Sequence, residues 1–351
     1  MTRVDIAIVG AGIVGCLTAC EIVARAPRVS VVLLDRDTVG SGASRRSAGL
    51  HLPRGATERV RRMAAYSQDY YARLKRRTPG LPIHQLPMSV VASASSDPPA
   101  RESYLDSAGL ARAAGVSGDD LRIPDTAEVW TGEGCQYADV SALTQALTRE
   151  LRPWVGVREG VRVTAVDQIA DGVELRLGTG DVVSAGQVVL APGPWVAAPA
   201  WRELVAPLGV RVKKVVALHV DRVPAGNDRV IVFQDEDAFL LPLERSGYWL
   251  FSYTCTEWDL DPDTVAGGLS PTNLKEAQEC LRRYAPALAD RATSGRVFCD
   301  AYSLNREPLV TALDPGARIV FAGAANGSGY RLAPAIASEA VDLLRIPRSE
   351  P

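Results

Sequence analysis

The amino-acid sequence predicts an α/β fold with two units, one built on a parallel sheet with helices and one on an antiparallel sheet. Three observations support this prediction. Residues 4–36 have the pattern strand, glycine-rich turn, helix, strand. Residues 212–253 contain short β segments separated by turns, which favour an antiparallel meander. Residues 318–344 repeat a strand, a glycine-rich turn and a helix. A chain of 351 residues also suggests two domains.

The first stretch has the features of a nucleotide-binding βαβ unit. An apolar strand at 4–9 precedes a helix at 13–26 and a second strand at 29–34. Three glycines in the spacing G-x-G-x-x-G join the first strand to the helix: Gly10, Gly12 and Gly15. The first makes a tight turn, the second lets the backbone approach a diphosphate, and the third lets the helix pack closely on the strand. Asp35 follows the second strand, where a carboxylate can bind a ribose diol. Together these features predict a Rossmann-like domain.

Three further segments are predicted to line the same ligand. Residues 40–51 are rich in Gly, Ser and Arg and leave the second strand beside the N-terminus of the first helix, which attracts phosphate. A strand at 188–191 ends in Pro192-Gly193-Pro194-Trp195, at the strand end where open α/β sheets bind ligands. The second glycine-rich turn, residues 324–331, leads into a helix at 333–344. We therefore expect the cofactor to be held from both ends of the chain.

Periodicity predicts the remaining elements. Helices are expected at 56–77, 101–114, 140–151 and 271–284. Strands are expected at 89–94, 160–166, 173–177, 182–183 and 318–322, and the meander at 212–220, 230–233, 238–243 and 248–253.

Composition limits the classes of partner. A formal net charge of −2 gives no electrostatic argument for nucleic acid or a membrane surface. No apolar run approaches the roughly 20 residues of a membrane span. Because a strand begins at residue 4, we expect no signal peptide and a cytoplasmic location. The six cysteines form no C-x-x-C pair, and three histidines offer little material for a metal site, so we predict none.

At this point the sequence resembles the FAD-dependent D-amino-acid oxidase superfamily, in the branch that contains sarcosine oxidase and glycine oxidase. The resemblance is carried by the opening glycines with Asp35 and by residues 40–44, 188–195, 259–264 and 326–334. It implies an FAD-binding domain assembled from residues 1–82, 139–204 and 301–351. It also implies a discontinuous antiparallel substrate domain made of residues 83–138 and 205–300.

The resemblance further implies site residues. The residues expected to contact FAD are Gly10, Gly12, Ile13, Val14, Gly15, Asp35, Arg36, Ser44, Arg45, Arg46, Ser47, Gly49, Leu50, Val163, Ala191, Pro192, Gly193, Trp195, Gly323, Asn326, Gly327, Ser328, Gly329, Tyr330, Arg331 and Leu332. The residues expected at the substrate are His51, Tyr302 and Arg331. Arg331 can hold a carboxylate bidentately or form a salt bridge on its own helix. His51 can bind substrate or have a structural role.

Three departures from the family pattern concern substrate and oxygen. The Asp-Gly pair of a T-x-D-G-x-P-like block is replaced by Asn305-Arg306, so the arginine of glycine oxidases, if Arg306 serves, is displaced. No lysine lies between Lys214 and Lys275, where sarcosine oxidases use one to assist oxygen. Cys299 is near the position of a covalent flavin attachment, but we favour a buried free thiol.

The sequence therefore predicts an FAD-dependent oxidoreductase that oxidises a C–N bond of a small amine or amino acid by hydride transfer to flavin, giving an imine. Its expected partners are that substrate and oxygen or another electron acceptor. Two alternatives remain: an FAD dehydrogenase of a 2-hydroxy acid or one using another acceptor, and a nucleotide-binding module without redox activity. The identity of the amine, its stereochemistry and the oligomeric state are left open.

Overall fold

The structure, a computed structural model, describes residues 2–96, 99–116 and 121–346, with their side chains except at 266 and 267. The α-helices are α1 (Ile13–Arg25), α2 (Ala43–Arg46), α3 (Glu58–Arg77), α4 (Ala100–Ser103), α5 (Val140–Leu151), α6 (Arg202–Val205), α7 (Pro271–Arg282), α8 (Pro286–Ala289) and α9 (Gly329–Leu343). The strands are β1 (Thr2–Val9), β2 (Val31–Leu34), β3 (Leu50–His51), β4 (Ile83–Ser93), β5 (Ala111–Ala113), β6 (Ala127–Ala138), β7 (Val155–Arg158), β8 (Val163–Ile169), β9 (Gly172–Leu177), β10 (Val182–Leu190), β11 (Arg211–Val220), β12 (Val230–Phe233), β13 (Ala238–Leu243), β14 (Tyr248–Tyr253), β15 (Ser294–Tyr302), β16 (Leu309–Ala312) and β17 (Ile319–Gly323).

The first sheet has the strand order β16-β17-β10-β1-β2-β7, and the hairpin β8–β9 joins it through β10. Its central pairs β17–β10, β10–β1, β1–β2 and β2–β7 are parallel. Side chains alternate along β1, so that Ile6 and Ile8 pack against α1 and α9, while Ala7 and Val9 join the core shared with the second sheet. Val9 pairs with both Leu34 and Leu190, so the carboxyl ends of three parallel strands lie side by side.

The second sheet has the order β15-β11-β14-β13-β12-β4-β6-β3, with β5 added on β6. Its pairs are antiparallel except β12–β4, which is parallel. One face packs into a cluster that includes Met88, Val90, Leu241 and Leu250, and Leu52 from the segment after α2 packs on the same face. The short strand β3 therefore carries the segment after α2 from the nucleotide-binding region to the edge of the second sheet.

Side-chain caps begin several of the amphipathic helices. Thr57, Asp139 and Ser270 accept hydrogen bonds from the N–H groups three residues later at the starts of α3, α5 and α7. Helix α1 differs because its N-cap is Gly12, which has no side chain to accept such a bond. None of the helices in the described ranges combines the length and apolar character needed to cross a membrane.

Several predicted elements need correction. The helix expected at 101–114 is wrong: α4 is short, Gly109 adopts a left-handed conformation (φ 55°), and β5 then pairs with β6. Pairing with the sheet overrides the helical propensity of these alanines. The predicted antiparallel meander is confirmed for β12, β13 and β14. Strand β11 does not pair with β12, its neighbour in sequence, but lies between β14 and β15. The strands expected at 182–183 and 188–191 are one strand, β10.

Six strands of the described structure were not predicted: β3, β5, β6, β7, β15 and β16. In β6, Gly132 and Gly134 interrupt the apolar pattern, and Gly134 has a positive φ of 79°. In β15, charged and apolar residues share one face, so apolar alternation does not mark the strand. The last helix begins at Gly329 instead of 333, which places Tyr330, Arg331 and Leu332 in its first turn.

Candidate functional site

Backbone atoms lie close to the first and third glycines of the turn between β1 and α1. Gly10 has φ 104°, and a Cβ there would lie 2.2 Å from the carbonyl oxygen of Ala191 at the end of β10. A Cβ at Gly15 would lie 1.9 Å from the carbonyl oxygen of Gly10. The first and third glycines therefore have the tight-turn and close-packing roles that their spacing predicts. This turn holds the N-terminus of α1, with Ile13 and Val14, at the carboxyl edge of the first sheet.

Helix α2 lies across the start of α1. The Oγ atom of Ser44 accepts a hydrogen bond of 3.0 Å from the N–H of Ile13. A Cβ at Gly12 would lie 3.3 Å from the same oxygen, so only the bare backbone of Gly12 fits there without a shift. Arg45 is exposed and Arg46 is partly buried, so α2 adds positive charge beside this helix end. The arrangement suits a diphosphate.

Asp35 lies beside the glycine turn, immediately after β2. Its Oδ2 accepts from the N–H of Ala11 at 2.7 Å and its Oδ1 from the N–H of Asp37 at 2.8 Å. Burial raises the pKa of this carboxyl against the effect of those two bonds. The N–H of Val161 donates to the Asp35 carbonyl, so the start of β8 with Val163 runs past the same point. A ribose could therefore reach Asp35 with Val163 nearby.

Arg36 makes contacts that the sequence did not indicate. Its guanidinium forms two hydrogen bonds, of 2.5 and 3.0 Å, with Asp263 and lies 4.2 Å from the centre of the Trp195 ring. The indole N–H of Trp195 donates to Asp263 at 2.8 Å, and the Trp195 ring lies against Gly42. Residues after β2, β10 and β14 thus form one polar cluster at this edge, near Pro192 and Gly193.

The second glycine-rich turn follows Gly323, where β17 ends, and lies against the second sheet. Ala324, Asn326 and Gly327 all have positive φ angles, of 49°, 53° and 75°. The N–H of Asn326 donates to the carbonyl of Ala301, and its Oδ1 accepts from the N–H of Ser303 at 3.0 Å. These bonds fix the turn against the end of β15. The left-handed backbone is therefore maintained by contacts with the second sheet.

Helix α2 is also fixed to β15. The guanidinium of Arg296 donates to the carbonyl oxygens of Arg46 and Ser47 at 2.9 and 3.2 Å. The Ser47 Oγ accepts from the N–H of Gly49, and the chain then enters β3 at Leu50. The two glycine-rich segments thus contact opposite ends of the same strand.

His51 is completely buried on β3. Its ring lies edge-on to Tyr71, with ring centres 6.2 Å apart. Within the described residues neither ring nitrogen makes a hydrogen bond of normal geometry. Burial and the charge of Arg331 lower the pKa of His51 to about 3, while the backbone of Arg331 has a smaller, opposite effect. The imidazole is therefore neutral at physiological pH and lies close to Arg331.

Arg331 lies in the first turn of α9 and is partly buried. Its Nη1 donates to the carbonyl of Arg54 at 3.2 Å, and its Nη2 donates to Ser328 Oγ at 2.5 Å. Within the described residues no carboxylate forms an ion pair with it, and burial lowers its pKa to about 10. The alternative of a salt bridge on its own helix is therefore not realised.

Tyr302 ends β15 at the second glycine-rich turn. Its backbone forms a bridge with Ala325, and its hydroxyl lies 3.1 Å from where a Cβ at Gly327 would stand. The Trp258 ring packs edge-on against it, with ring centres 5.3 Å apart. Burial raises the pKa of the phenol well above its ordinary value. Tyr302 therefore lies on the second-sheet side of the turn.

Sequence reasoning missed two residues of this region, Arg296 and Asp300. Both lie on the face of β15 that carries Tyr302, at alternate positions along the strand. The period-two spacing of these polar residues was the available signal. It was obscured because the same face also carries Phe298.

The arrangement fits a dinucleotide. Gly10 and Gly12 place no side chain over the N-terminus of α1, the Asp35 carboxylate lies beside this turn, and the second glycine-rich turn is bonded to the end of β15 in the second sheet. The fold and site thus define a dinucleotide-dependent protein built on two sheets. A family model described as FAD dependent oxidoreductase (DAO) matches residues 5–343. The chain belongs to this family of FAD-dependent oxidoreductases and its cofactor is FAD, which confirms the predicted resemblance.

Individual proteins are similar to this chain in sequence or in fold. Over 239 residues the chain is 28% identical to a 4-methylaminobutanoate oxidase (formaldehyde-forming) of Paenarthrobacter nicotinovorans, a match that covers 62% of this chain and 27% of that protein. The fold resembles a glycine oxidase from Geobacillus kaustophilus, with TM-score 0.80, 17% identity and 99% and 96% of the two chains covered. It also resembles NikD, an unusual amino acid oxidase essential for nikkomycin biosynthesis, with TM-score 0.76, 18% identity and 100% and 96% covered.

Proposed function

We propose that the protein oxidises a C–N bond of a small amine or amino acid. Bound FAD would accept a hydride from the carbon next to nitrogen, and the resulting imine would be hydrolysed by water. The observation that carries the proposal is Arg331, a partly buried cation beside the second glycine-rich turn with no carboxylate partner in the described structure. A buried guanidinium without an anion is costly, and a substrate carboxylate would supply one.

The roles of the neighbouring residues follow from their charge state. His51 is neutral and close to Arg331, so its imidazole would donate or accept one hydrogen bond to the substrate without adding charge. Tyr302 keeps its proton and would line the same space from the second sheet. The curated relative acts, by its name, on 4-methylaminobutanoate, which carries both an amine and a carboxylate. That chemistry is consistent with a guanidinium in the site.

The electron acceptor is proposed to be oxygen or another oxidant. Sequence positions 215–274 contain no lysine, and Leu250 packs in the same apolar cluster as Leu50 and Leu52. The β14 side chain that faces the segment after α2 is therefore apolar. We propose that a cationic group on β14 does not assist oxygen here, so an acceptor other than oxygen is retained as an alternative.

The test uses the FAD-loaded protein without oxygen. Amines, α-amino acids, N-methylated amino acids and 2-hydroxy acids are added in turn, and the loss of oxidised flavin absorbance is followed. We expect bleaching by members of the nitrogen-containing classes. Bleaching by 2-hydroxy acids alone would contradict the proposal. Admitting air afterwards and measuring hydrogen peroxide distinguishes an oxidase from a dehydrogenase.

A further inference from the structure

The two faces of strand β15 have different neighbours. Val297, Cys299 and Ala301 belong to the apolar core that the first and second sheets share. Arg296 contacts the carbonyl groups of α2, and Tyr302 contacts the second glycine-rich turn. Side chains alternate along a strand, so Arg296 and Tyr302 lie on the same face. The residues of that face between them therefore lie between α2 and the second glycine-rich turn.

Asp300 lies on this face, between Arg296 and Tyr302, and its side chain retains accessible surface. In the described part of the chain its carboxylate accepts one hydrogen bond, of 3.2 Å, from the adjacent N–H of Ala301. Burial raises the pKa of this carboxyl to about 7. It is therefore a partly buried acid with no ion-pair partner in the described structure.

A cation is available on the next strand but points elsewhere. Lys213 pairs directly with Asp300 across β11 and β15, a position where opposite charges normally attract. The ammonium of Lys213 instead lies 4.8 Å from the centre of the Trp258 ring and 5.7 Å from that of Tyr302. The described structure contains no ion pair between Lys213 and Asp300. An uncompensated acid in such a place is costly and indicates a ligand.

We infer that Asp300 binds the substrate amine as an ammonium ion and accepts its proton before hydride leaves the neighbouring carbon, and that the substrate class is therefore cationic amines, with or without a carboxylate. Asp300 lies on β15 of the second sheet and Arg331 on α9, and the two side chains carry opposite charges. A molecule that carries both an ammonium and a carboxylate complements both. The inference rests on the proposed function but identifies the substrate group that the second sheet recognises.

The experiment measures binding to the FAD-loaded protein by calorimetry and requires no turnover. Three probes of similar shape are used: tert-butylammonium, pivalate and tert-butanol. The amine has no hydrogen on the carbon next to nitrogen and cannot be oxidised to an imine. The variants are Asp300→Asn and Asp300→Glu. The control is Asp290→Asn, whose side chain is 74% exposed and pairs with Arg282. FAD content and FAD affinity are measured for each protein.

We expect Asp300→Asn to weaken tert-butylammonium binding by about 10- to 100-fold, because a charge-assisted hydrogen bond is lost. Pivalate and FAD should bind at least as well as in the parent protein. Asp300→Glu should keep the preference for tert-butylammonium over tert-butanol, and Asp290→Asn should change nothing.

Two results would overturn the inference. Equal tert-butylammonium affinity in the parent and Asp300→Asn would make Asp300 a structural neighbour of Lys213. Loss of FAD in Asp300→Asn with unchanged tert-butylammonium binding would make it a flavin-side residue. Because calorimetry is independent of oxidation, these results are distinguishable from failure of the proposed function, in which no amine would bleach the flavin.

Discussion

The hydroxyl of Tyr302 lies 3.1 Å from the point that a Cβ at Gly327 would occupy. This contact joins the end of β15 to the second glycine-rich turn, and Asn326 reinforces it through its bonds to Ala301 and Ser303. The turn is therefore shaped by the second sheet as much as by its own glycines. A substitution at Gly327 should therefore shift both the second glycine-rich turn and the end of β15.

The first prediction concerns Gly327→Ala. The new Cβ would be strained at φ 75° and crowded by Tyr302, so the turn should shift and FAD affinity should fall by about tenfold. Gly180→Ala is the matched control, because φ is 88° there but no atom lies within 4 Å. It should lose only about 1 kcal/mol of stability. Titration of the apoproteins with FAD tests this, and equal FAD affinity in the two variants would contradict it.

The second prediction is that Asp35→Ala weakens FAD binding by about 1.5–3 kcal/mol, since a charge-assisted acceptor beside the glycine turn is removed. Asp37→Ala is the control, because the Asp37 side chain is 63% exposed and follows Asp35 by two residues. FAD titration monitored by flavin fluorescence measures both. If Asp35→Ala kept the parent affinity, Asp35 would not be the ribose residue.

The third prediction is that Cys299 does not hold FAD covalently. Cys299 is 3% exposed, and its side chain lies on the core face of β15, opposite Tyr302. Burial also raises the pKa of its thiol to about 11, which disfavours the reactive thiolate. Acid precipitation should release yellow flavin into the supernatant. Flavin that remained in the pellet of the parent protein, but not of Cys299→Ser, would show the opposite.

The fourth prediction links Asp300 to stability. A carboxyl whose pKa rises from 3.8 to about 7 on folding binds its proton more tightly in the folded state. The free energy of unfolding therefore decreases as pH rises from about 4 to 7. Asp300→Asn should remove this loss and stabilise the FAD-loaded protein at about pH 8, by on the order of 2 kcal/mol, with no gain at about pH 4.

Charged and titratable groups near Asp300 include Lys213 across the strand pair, and Arg296 and Tyr302 along β15. Asp237 lies close enough to raise the pKa of Tyr302. Thermal unfolding as a function of pH, with and without tert-butylammonium, measures the effect. A destabilised Asp300→Asn protein at about pH 8 would indicate a hidden cation partner. Greater stability together with weaker amine binding would mark Asp300 as a functional residue.

Local sequence features allowed much of the region around the first glycine turn to be predicted. The glycines, α1 and β2 are consecutive, and α5 begins at 140 and ends at 151 as expected because Asp139 caps it. The region around β15 could not be predicted in the same way. Its partner β11 is distant in sequence, and the role of Asp300 depends on Lys213 lying over Trp258. Such side-chain directions are set by tertiary packing, and the period-two spacing of the polar residues on β15 does not reveal them.

The measurement that tests the central claim most directly compares an amino acid with the corresponding plain amine in Arg331→Met. Arg331 has no carboxylate partner in the described structure, so a substrate carboxylate should be its anion. Arg73→Met, at an exposed position, is the control. We predict that the apparent KM of Arg331→Met rises by about 10- to 100-fold for the amino acid and much less for the amine, with FAD content unchanged. Equal losses for both substrates, or loss of flavin with activity, would show that Arg331 is a structural or flavin-side residue.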